Sequence, residues 1–178
     1  MALSDDLRRI AAQAAAFGEV AGLLAAEPTS GRRLYLVALG DPESGGWVVL
    51  DDAGAAVDAR EEVREVASVI ALCELAADVA GGGHLAGLRE RLAELGAVEQ
   101  TAGLDEAEAA LAALERAIGG EPRVATPEYL DAVGFAMRDL ERALGETSSP
   151  FAEALRAGSG AVDEFVKDVE RRYARELR

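Results

Sequence analysis

The sequence predicts a mainly helical α+β fold: a bundle of about seven helices with one small antiparallel β-hairpin inserted after the first helix. Two observations lead to this prediction. Apolar residues recur at alternating steps of three and four in successive segments, which is the spacing of one helix face. Between the first two of these segments lie two short β-prone runs, separated by a connection rich in glycine and other turn-forming residues.

The first helix is predicted to begin near Ser4, a residue that can cap a helix start. The acids that follow it, Asp5 and Asp6, suit the positive end of the helix dipole. Its apolar stripe includes Phe17 and continues to Leu24, and proline and glycine shortly afterwards predict its end.

The hairpin is predicted from residues 34–39 and 47–50, joined by residues 40–46. Both runs are apolar at every position, whereas a half-exposed strand would alternate apolar with polar residues, so both faces should be covered. The candidates for this cover are the neighbouring helices, a short third strand at 55–57, and a second copy of the chain paired with a free strand edge.

The central helix is predicted over residues 59–80, with Asp58 and Glu61 in the positions of a capping box. One arc of about 120° on this helix is mostly polar or small, and is predicted to face solvent. The arc contains Arg60, Arg64, Ala67, Ser68, Ala71, Glu74 and Asp78. Leu75 also falls inside it, which predicts that a neighbouring element covers part of the stripe.

Five further helices are predicted from the same apolar spacing. Glycines at 81–83 precede the first of them, Thr126 with Pro127 opens another, and Ser149 with Pro150 opens a short one that Gly158 and the next two residues should end. The five stripes run over residues 85–95, 104–118, 130–144, 151–155 and 162–177.

The chain of 178 residues is predicted to form a single compact domain spanning 1–178. One subdivision is compatible with the pattern. It separates an α-β-β-α-α half, 1–97, from an all-helical half, 104–178.

The composition narrows the classes of partner. Eighteen basic residues against 33 acidic ones give a net charge of −15, which predicts no nucleic-acid partner and no anionic membrane partner. No apolar run reaches about 18 residues, and the single cysteine, Cys73, cannot form an intrachain disulfide, so we expect a soluble cytoplasmic protein. The predominance of arginine over lysine and the many alanines are typical of a GC-rich bacterial genome.

A ligand cavity between the hairpin and helix 59–80 is one hypothesis for the site, and its candidate lining residues are Tyr35, Trp47, Glu74, Asp78 and His84. Glu74 and Asp78 lie one turn apart and could act as acid and base or hold a divalent cation. Further metal ligands are lacking, so no metal and no cofactor are predicted. The glycines before His84 could hold an anion, although an ordinary interhelical turn is the favoured interpretation.

Phe135 is the candidate for contact with a partner, because it projects from a polar helix face shared with Asp131, Arg138 and Arg142. No catalytic motif is present. The sequence therefore predicts a non-enzymatic protein-interaction or self-associating helical module, with a second copy (a homo-oligomer such as a dimer) or another protein as partner. The alternative is a small-molecule-binding protein or enzyme that uses the cavity described above.

Overall fold

The computed structural model describes residues 2–29, 31–97, 103–120 and 123–174, and these form a mixed α+β fold. The elements are α1 (Leu3–Ala14), β1 (Val20–Ala26), β2 (Leu34–Leu39), β3 (Gly46–Asp51), α2 (Arg60–Gly81), α3 (Gly83–Ala97), α4 (Leu104–Ile118), β4 (Val124–Ala125), α5 (Pro127–Ala143) and α6 (Pro150–Arg171). Only Gly82 separates α2 from α3, so the described chain has five helices when these two are counted as one. The prediction of about seven helices is wrong.

The strands form one four-stranded mixed sheet in the order β3-β2-β1-β4. The predicted hairpin is present, since β2 and β3 pair antiparallel with Leu34 opposite Asp51 and Leu39 opposite Gly46. It is part of a larger sheet, however, because β1 pairs antiparallel with β2 and the short β4 lies parallel to β1. The prediction of a lone hairpin is corrected: β2 is an inner strand of the sheet, paired with β3 along one edge and with β1 along the other.

The segment predicted as the second half of helix 1 is the strand β1. Helix α1 ends at Ala14, and Gly18, shortly before β1, adopts a φ of +153°, a conformation that residues other than glycine rarely adopt. The predicted cap at Ser4 is also wrong, because the helix begins at Leu3 with Ala2 in the cap position and no capping side chain. Short apolar runs such as 20–26 fit a helix or a strand equally well, and pairing with β2 decides between them.

The glycines at 158 and 160 do not end a helix, because α6 continues through them from Pro150 to Arg171. Gly158 instead allows a close approach: a Cβ atom placed there would lie 2.6 Å from Cδ1 of Leu75. This contact confirms that a neighbouring element covers Leu75, and it gives Gly158 a packing role inside the helix rather than at its end.

The contacts divide the chain into two compact units, neither of which is a continuous stretch of sequence. The first comprises Met1–Leu72, Pro122–Pro127 and Gly160–Arg178, and the second comprises Cys73–Glu121 and Glu128–Ser159. These boundaries differ from the 1–97 and 104–178 subdivision, and the single-domain organisation stays a prediction.

Each unit has its own apolar core. In the first, α1 packs on the sheet, and the buried residues are Ile10, Ala14, Ala25, Tyr35, Val37, Leu39, Val48 and Leu50. In the second, the buried residues are Ala76, Ala80, Leu85, Leu88, Leu92, Ala107, Ala110, Leu114, Val133, Ala136, Met137, Leu140 and Phe151.

The outer edge of β3 is covered in part by the segment that follows α6. The Trp47 N–H donates to the Arg172 carbonyl at 3.0 Å, and the Ala174 N–H donates to the Trp47 carbonyl at 2.8 Å. The buried Tyr173 hydroxyl accepts a hydrogen bond from the Val49 N–H at 3.0 Å.

Residues 55–57 cover the rest of this edge, although they form an isolated bridge between Leu50 and Ala56 rather than the predicted third strand. The Val57 N–H donates to the Val49 carbonyl at 2.8 Å, and the Asp51 N–H donates to the Ala55 carbonyl at 2.9 Å. Of the covers that the sequence left open, a second copy is therefore not the one found at this edge, because the chain itself occupies it.

Helix α2 matches the predicted bounds of 59–80 within one residue. Along the predicted polar stripe, Arg60, Arg64 and Asp78 are exposed, Ser68 and Glu74 are half-buried, and the small residue at 67 is buried. The combined stretch Arg60–Ala97 is long enough to cross a membrane and has a mean hydropathy of 1.5 over its most apolar window, of which 44% is buried inside the protein. This burial is consistent with a helix of a soluble protein.

Candidate functional site

The second unit has an open groove between α4 and α5, with a volume of about 660 Å³. Its walls are mainly alanine methyl groups, from Ala109, Ala110, Ala113, Ala132, Ala136 and Ala143. Glu106, Phe135, Asp139 and Arg142 complete the lining. We call this feature the alanine groove.

The spacing of the alanines explains why the groove exists. On α4, Ala113 lies four and three residues after the first two of them, and on α5 the steps are four and seven residues, so each set lies on one side of its helix. On their buried sides the same helices carry larger residues such as Leu114 and Leu140, which hold them together. Methyl side chains do not fill the space above that contact, so a shallow apolar channel remains.

Phe135 stands beside the alanine groove and is 59% exposed, the most exposed large apolar side chain in the described residues. The Arg138 guanidinium lies over its ring, 4.9 Å from the ring centre, while the Arg138 Nε donates to the Gly134 carbonyl. The opposite face of α5 is fully buried at Val133 and Met137. Phe135 therefore lies on an exposed polar face of α5, as predicted.

A second cluster in this unit centres on Glu141, which is only 2% exposed. The Phe151 N–H donates to Oε1 at 2.8 Å, the Ser149 hydroxyl donates to Oε2, and His84 Nε2 forms a hydrogen bond with Oε1 at 3.0 Å. Ser149 in turn accepts from the Ala152 N–H at 3.2 Å, which makes it the cap of α6.

This cluster contains the residue types of a catalytic triad in a different order. In a triad the histidine lies between the acid and the nucleophile, whereas here Glu141 lies between His84 and Ser149. The arrangement joins the start of α3 to the start of α6 and gives the buried carboxylate its hydrogen-bond partners. Sequence reasoning missed Glu141, because an acid in a helix normally indicates an exposed position.

The five predicted ligand-site residues fall in both units. Glu74, Asp78 and His84 belong to the second unit, where Asp78 is exposed and Glu74 is half-buried. Among the residues that the structure describes, no three His, Cys, Asp or Glu side chains are grouped as a metal site would require. The cavity that all five were expected to line stays a prediction.

Tyr35 belongs to the first unit and is completely buried within its core. Its hydroxyl donates to Asp52 Oδ1 at 2.8 Å. Burial and this hydrogen bond raise the pKa of Tyr35 to about 12, because both favour the neutral phenol. The hydroxyl therefore stabilises the fold through this hydrogen bond and is not exposed to a ligand.

Trp47 also belongs to the first unit. Its ring packs edge-on against Phe165 with 5.5 Å between ring centres, and its Nε1 donates to Asp168 Oδ2 at 3.2 Å. Arg172 donates from Nε to both oxygens of Asp168 and from Nη1 to the carbonyls of Pro42 and Gly45. These contacts fasten the end of α6 to the β2–β3 connection.

We expect the contacts between the end of α6 and the β2–β3 connection to weaken in acid, because they depend on the Asp168 carboxylate. Hydrogen bonds from Arg172, and then from Arg171 and Trp47, lower the pKa of Asp168 from 3.8 to about 2. A pKa below the unfolded value means that the contribution to stability is complete above pH 3.8 and is lost as the pH falls through about 2. We expect Asp168→Asn to be less stable than the wild type at pH 7, with a difference that shrinks between these two pH values. Urea unfolding at stepped pH measures it, and a difference that stays constant down to pH 2 would contradict the assignment.

The fold and groove together define the chain as a small acidic α+β protein with an open, alanine-lined helix–helix surface in the part that the structure describes. No protein-family model, no curated protein and no solved structure matches it.

Proposed function

We propose that this chain is a non-enzymatic protein-interaction module that binds an apolar helix of its partner in the alanine groove. The observation that carries the proposal is Phe135, an aromatic side chain left 59% exposed at the border of an apolar channel. Burying such a ring contributes about 2 kcal/mol, and aromatic anchors of this kind dominate the energetics of many interfaces.

The alanine side chains support a helix as the bound element. Methyl groups allow a third helix to approach α4 and α5 closely, and the channel between these two helices can accept its ridge of side chains. The charged rim residues Glu106, Asp139 and Arg142 supply the polar border that surrounds the centre of an interface.

The side chains that could act in catalysis form hydrogen bonds within the protein, which supports a non-enzymatic role. His84 and Ser149 both serve the buried Glu141, and the Tyr35 hydroxyl serves Asp52. These groups stabilise the protein instead of facing an open site. A soluble cytoplasmic location belongs to the same proposal and is supported by the net charge of −15 and the single cysteine.

Photo-crosslinking in the cells from which the protein comes tests the proposal. A benzophenone amino acid replaces Phe135, and in a matched control it replaces Leu24, the other large apolar side chain that is exposed in the described residues (41%). We expect one discrete covalent adduct from position 135, with the attached protein identified by mass spectrometry. Purified again, that protein should bind the wild-type chain at least about tenfold more tightly than Phe135→Asp.

Equal crosslinking from both positions, or an identified protein that binds Phe135→Asp as tightly as the wild type, would show that the alanine groove is not the binding surface. Urea unfolding of Phe135→Asp serves as the folding control. Its stability should lie within about 0.5 kcal/mol of the wild type, because the side chain is exposed.

A further inference from the structure

We propose that the outer edge of β3 is a binding site for an extended segment of a partner protein, and that residues 172–174 occupy this site as an intramolecular ligand. We call residues 172–174 the strap. The strap and β3 both belong to the first unit, so this inference goes beyond the alanine groove and does not depend on it. It is carried by the hydrogen bonds between the strap and β3, and by the pairing that remains possible when the strap leaves.

The backbone of the strap shows how the edge binds a segment. Tyr173 lies opposite Trp47 in a parallel bridge, and the two backbone hydrogen bonds with Trp47 measure 3.0 and 2.8 Å. This is the hydrogen bonding of strand addition, in which backbone groups supply affinity for an extended segment. Gly46 allows the close approach, because a Cβ atom placed there would lie 3.1 Å from the Arg172 carbonyl oxygen. The edge is therefore shaped for an extended backbone.

The side chains of the strap show which residues the edge accepts. Tyr173 is buried, and its hydroxyl donates to the Val57 carbonyl at 2.5 Å while it accepts from the Val49 N–H at 3.0 Å. Arg172 donates to two carbonyls of the β2–β3 connection, at 2.9 and 3.2 Å. Alternate side chains held in this way give strand addition its specificity. An arginine followed by a tyrosine is therefore the pattern that we propose for the partner segment.

The backbone groups that contact the Tyr173 hydroxyl can pair with each other when it leaves. Val49 and Val57 lie opposite each other, and the Val57 N–H donates directly to the Val49 carbonyl at 2.8 Å. A hydrogen-bonded antiparallel pair has a second such bond, and here the Tyr173 hydroxyl is inserted into it. Release of the strap allows this second bond to close. The N–H and carbonyl of Trp47 are then open, and these are the groups that an incoming segment would use.

Helix α6 can stay in place when the strap leaves. The helix ends at Arg171, immediately before the strap. Its Phe165 and Asp168 contact the Trp47 side chain, and these contacts do not involve the strap. Asp168 then remains beside the edge as an acid that the arginine of an incoming segment would meet. The strap can therefore exchange with a partner segment without unfolding of α6.

Amide hydrogen exchange of the wild type, followed residue by residue by NMR, tests the release. The Trp47 N–H donates to the strap, whereas the N–H of Val48 faces β2, because successive groups of a strand point to opposite sides. We expect the Trp47 amide to exchange at least about tenfold faster than the Val48 amide, because the strap opens while the sheet stays folded. Equal rates would mean that the strap opens only when the sheet unfolds, and would overturn the inference.

A labelled peptide with the sequence of residues 168–178 is the probe for the open edge. In fluorescence anisotropy, it should bind the full chain carrying Arg172→Ala and Tyr173→Ala at least about tenfold more tightly than the wild type, whose own strap competes. The matched control peptide has alanine at the tyrosine position and the same charge, and it should bind this variant at least about tenfold more weakly. Equal binding of the two peptides, or of the probe by both proteins, would overturn the site. Urea unfolding checks that the variant folds, and if it does not, the exchange rates of the wild type decide.

The source of the partner segment is tested by sedimentation velocity of the wild type. We infer a different protein, because a net charge of −15 opposes the approach of a second copy. The wild type should therefore sediment as a species of 18.5 kDa. A dimer that the probe peptide disperses would mean that the strap of a second copy is the ligand, and would overturn the partner protein. Neither result affects the alanine groove, which the crosslinking from position 135 tests separately.

Discussion

Replacing Glu141 with leucine is expected to lower the free energy of unfolding by about 3 kcal/mol. The substitution removes the acceptor for three groups, the Phe151 N–H, the Ser149 hydroxyl and His84 Nε2. The Phe151 N–H is buried and cannot turn to another partner, and leaving such a donor unpaired costs about 1–3 kcal/mol. Loss of the cap contact through Ser149 weakens the start of α6 further.

Glu141→Gln should have a smaller effect than Glu141→Leu, because the amide keeps one acceptor oxygen and loses the other. We expect a loss of about 1–2 kcal/mol for this variant in urea unfolding. Glu115→Gln is the matched control on α4: Glu115 pairs with Arg89 at 2.8 Å with both side chains 49% exposed, so its removal should cost less than about 0.5 kcal/mol. If Glu141→Gln and Glu115→Gln unfold at the same urea concentration, the buried carboxylate does not hold α6.

Replacing Gly45 with alanine is expected to destabilise the protein by about 3 kcal/mol, through the β2–β3 connection. A Cβ atom at this position would lie 1.9 Å from the Leu39 carbonyl oxygen and 2.5 Å from that of Asp41. Both are backbone atoms, so the clash cannot be relieved by rotating a side chain. The connection would have to open, which also disturbs the Gly45 carbonyl that accepts from Arg172.

Gly87→Ala is the control, for which we expect a change in stability of the opposite sign. Gly87 lies within α3 with no atom within 4 Å of a Cβ placed there, so alanine should stabilise the helix by about 0.5–1 kcal/mol. Urea unfolding of both variants measures the contrast. Wild-type stability of Gly45→Ala would mean that the connection is not closed around Gly45 as described.

The elements that could be predicted from sequence are those with a long periodic pattern or a distinctive turn. Helix α4 has the predicted bounds of 104–118, and α2 matches the prediction within one residue. The β2–β3 pairing follows from two β-prone runs around a turn-rich connection. The exposed position of Phe135 follows from the periodicity of α5, because the side opposite a buried stripe faces outward.

The elements that were missed depend on contacts between distant residues. Strand β1 has a local pattern that suits a helix, and only its pairing with β2 makes it a strand. Gly158 has the local character of a helix break, yet it lies inside the continuous helix α6, where it packs closely against Leu75. Glu141 is an acidic residue that is buried in the core, and no local sequence pattern distinguishes it from an exposed acid.

The features that could be predicted without the fold are the α+β class, the acidic charge, the principal helices, the β2–β3 hairpin and the outward position of Phe135. Each of these follows from local spacing or from composition, and these act wherever the chain lies in space. The tertiary structure alone decided that β1 completes the sheet, that residues 55–57 and 172–174 cover the β3 edge, and that the alanines of α4 and α5 line a groove. The physical reason is that a strand edge, a buried carboxylate and a groove are each made by two segments, and only packing brings the segments together.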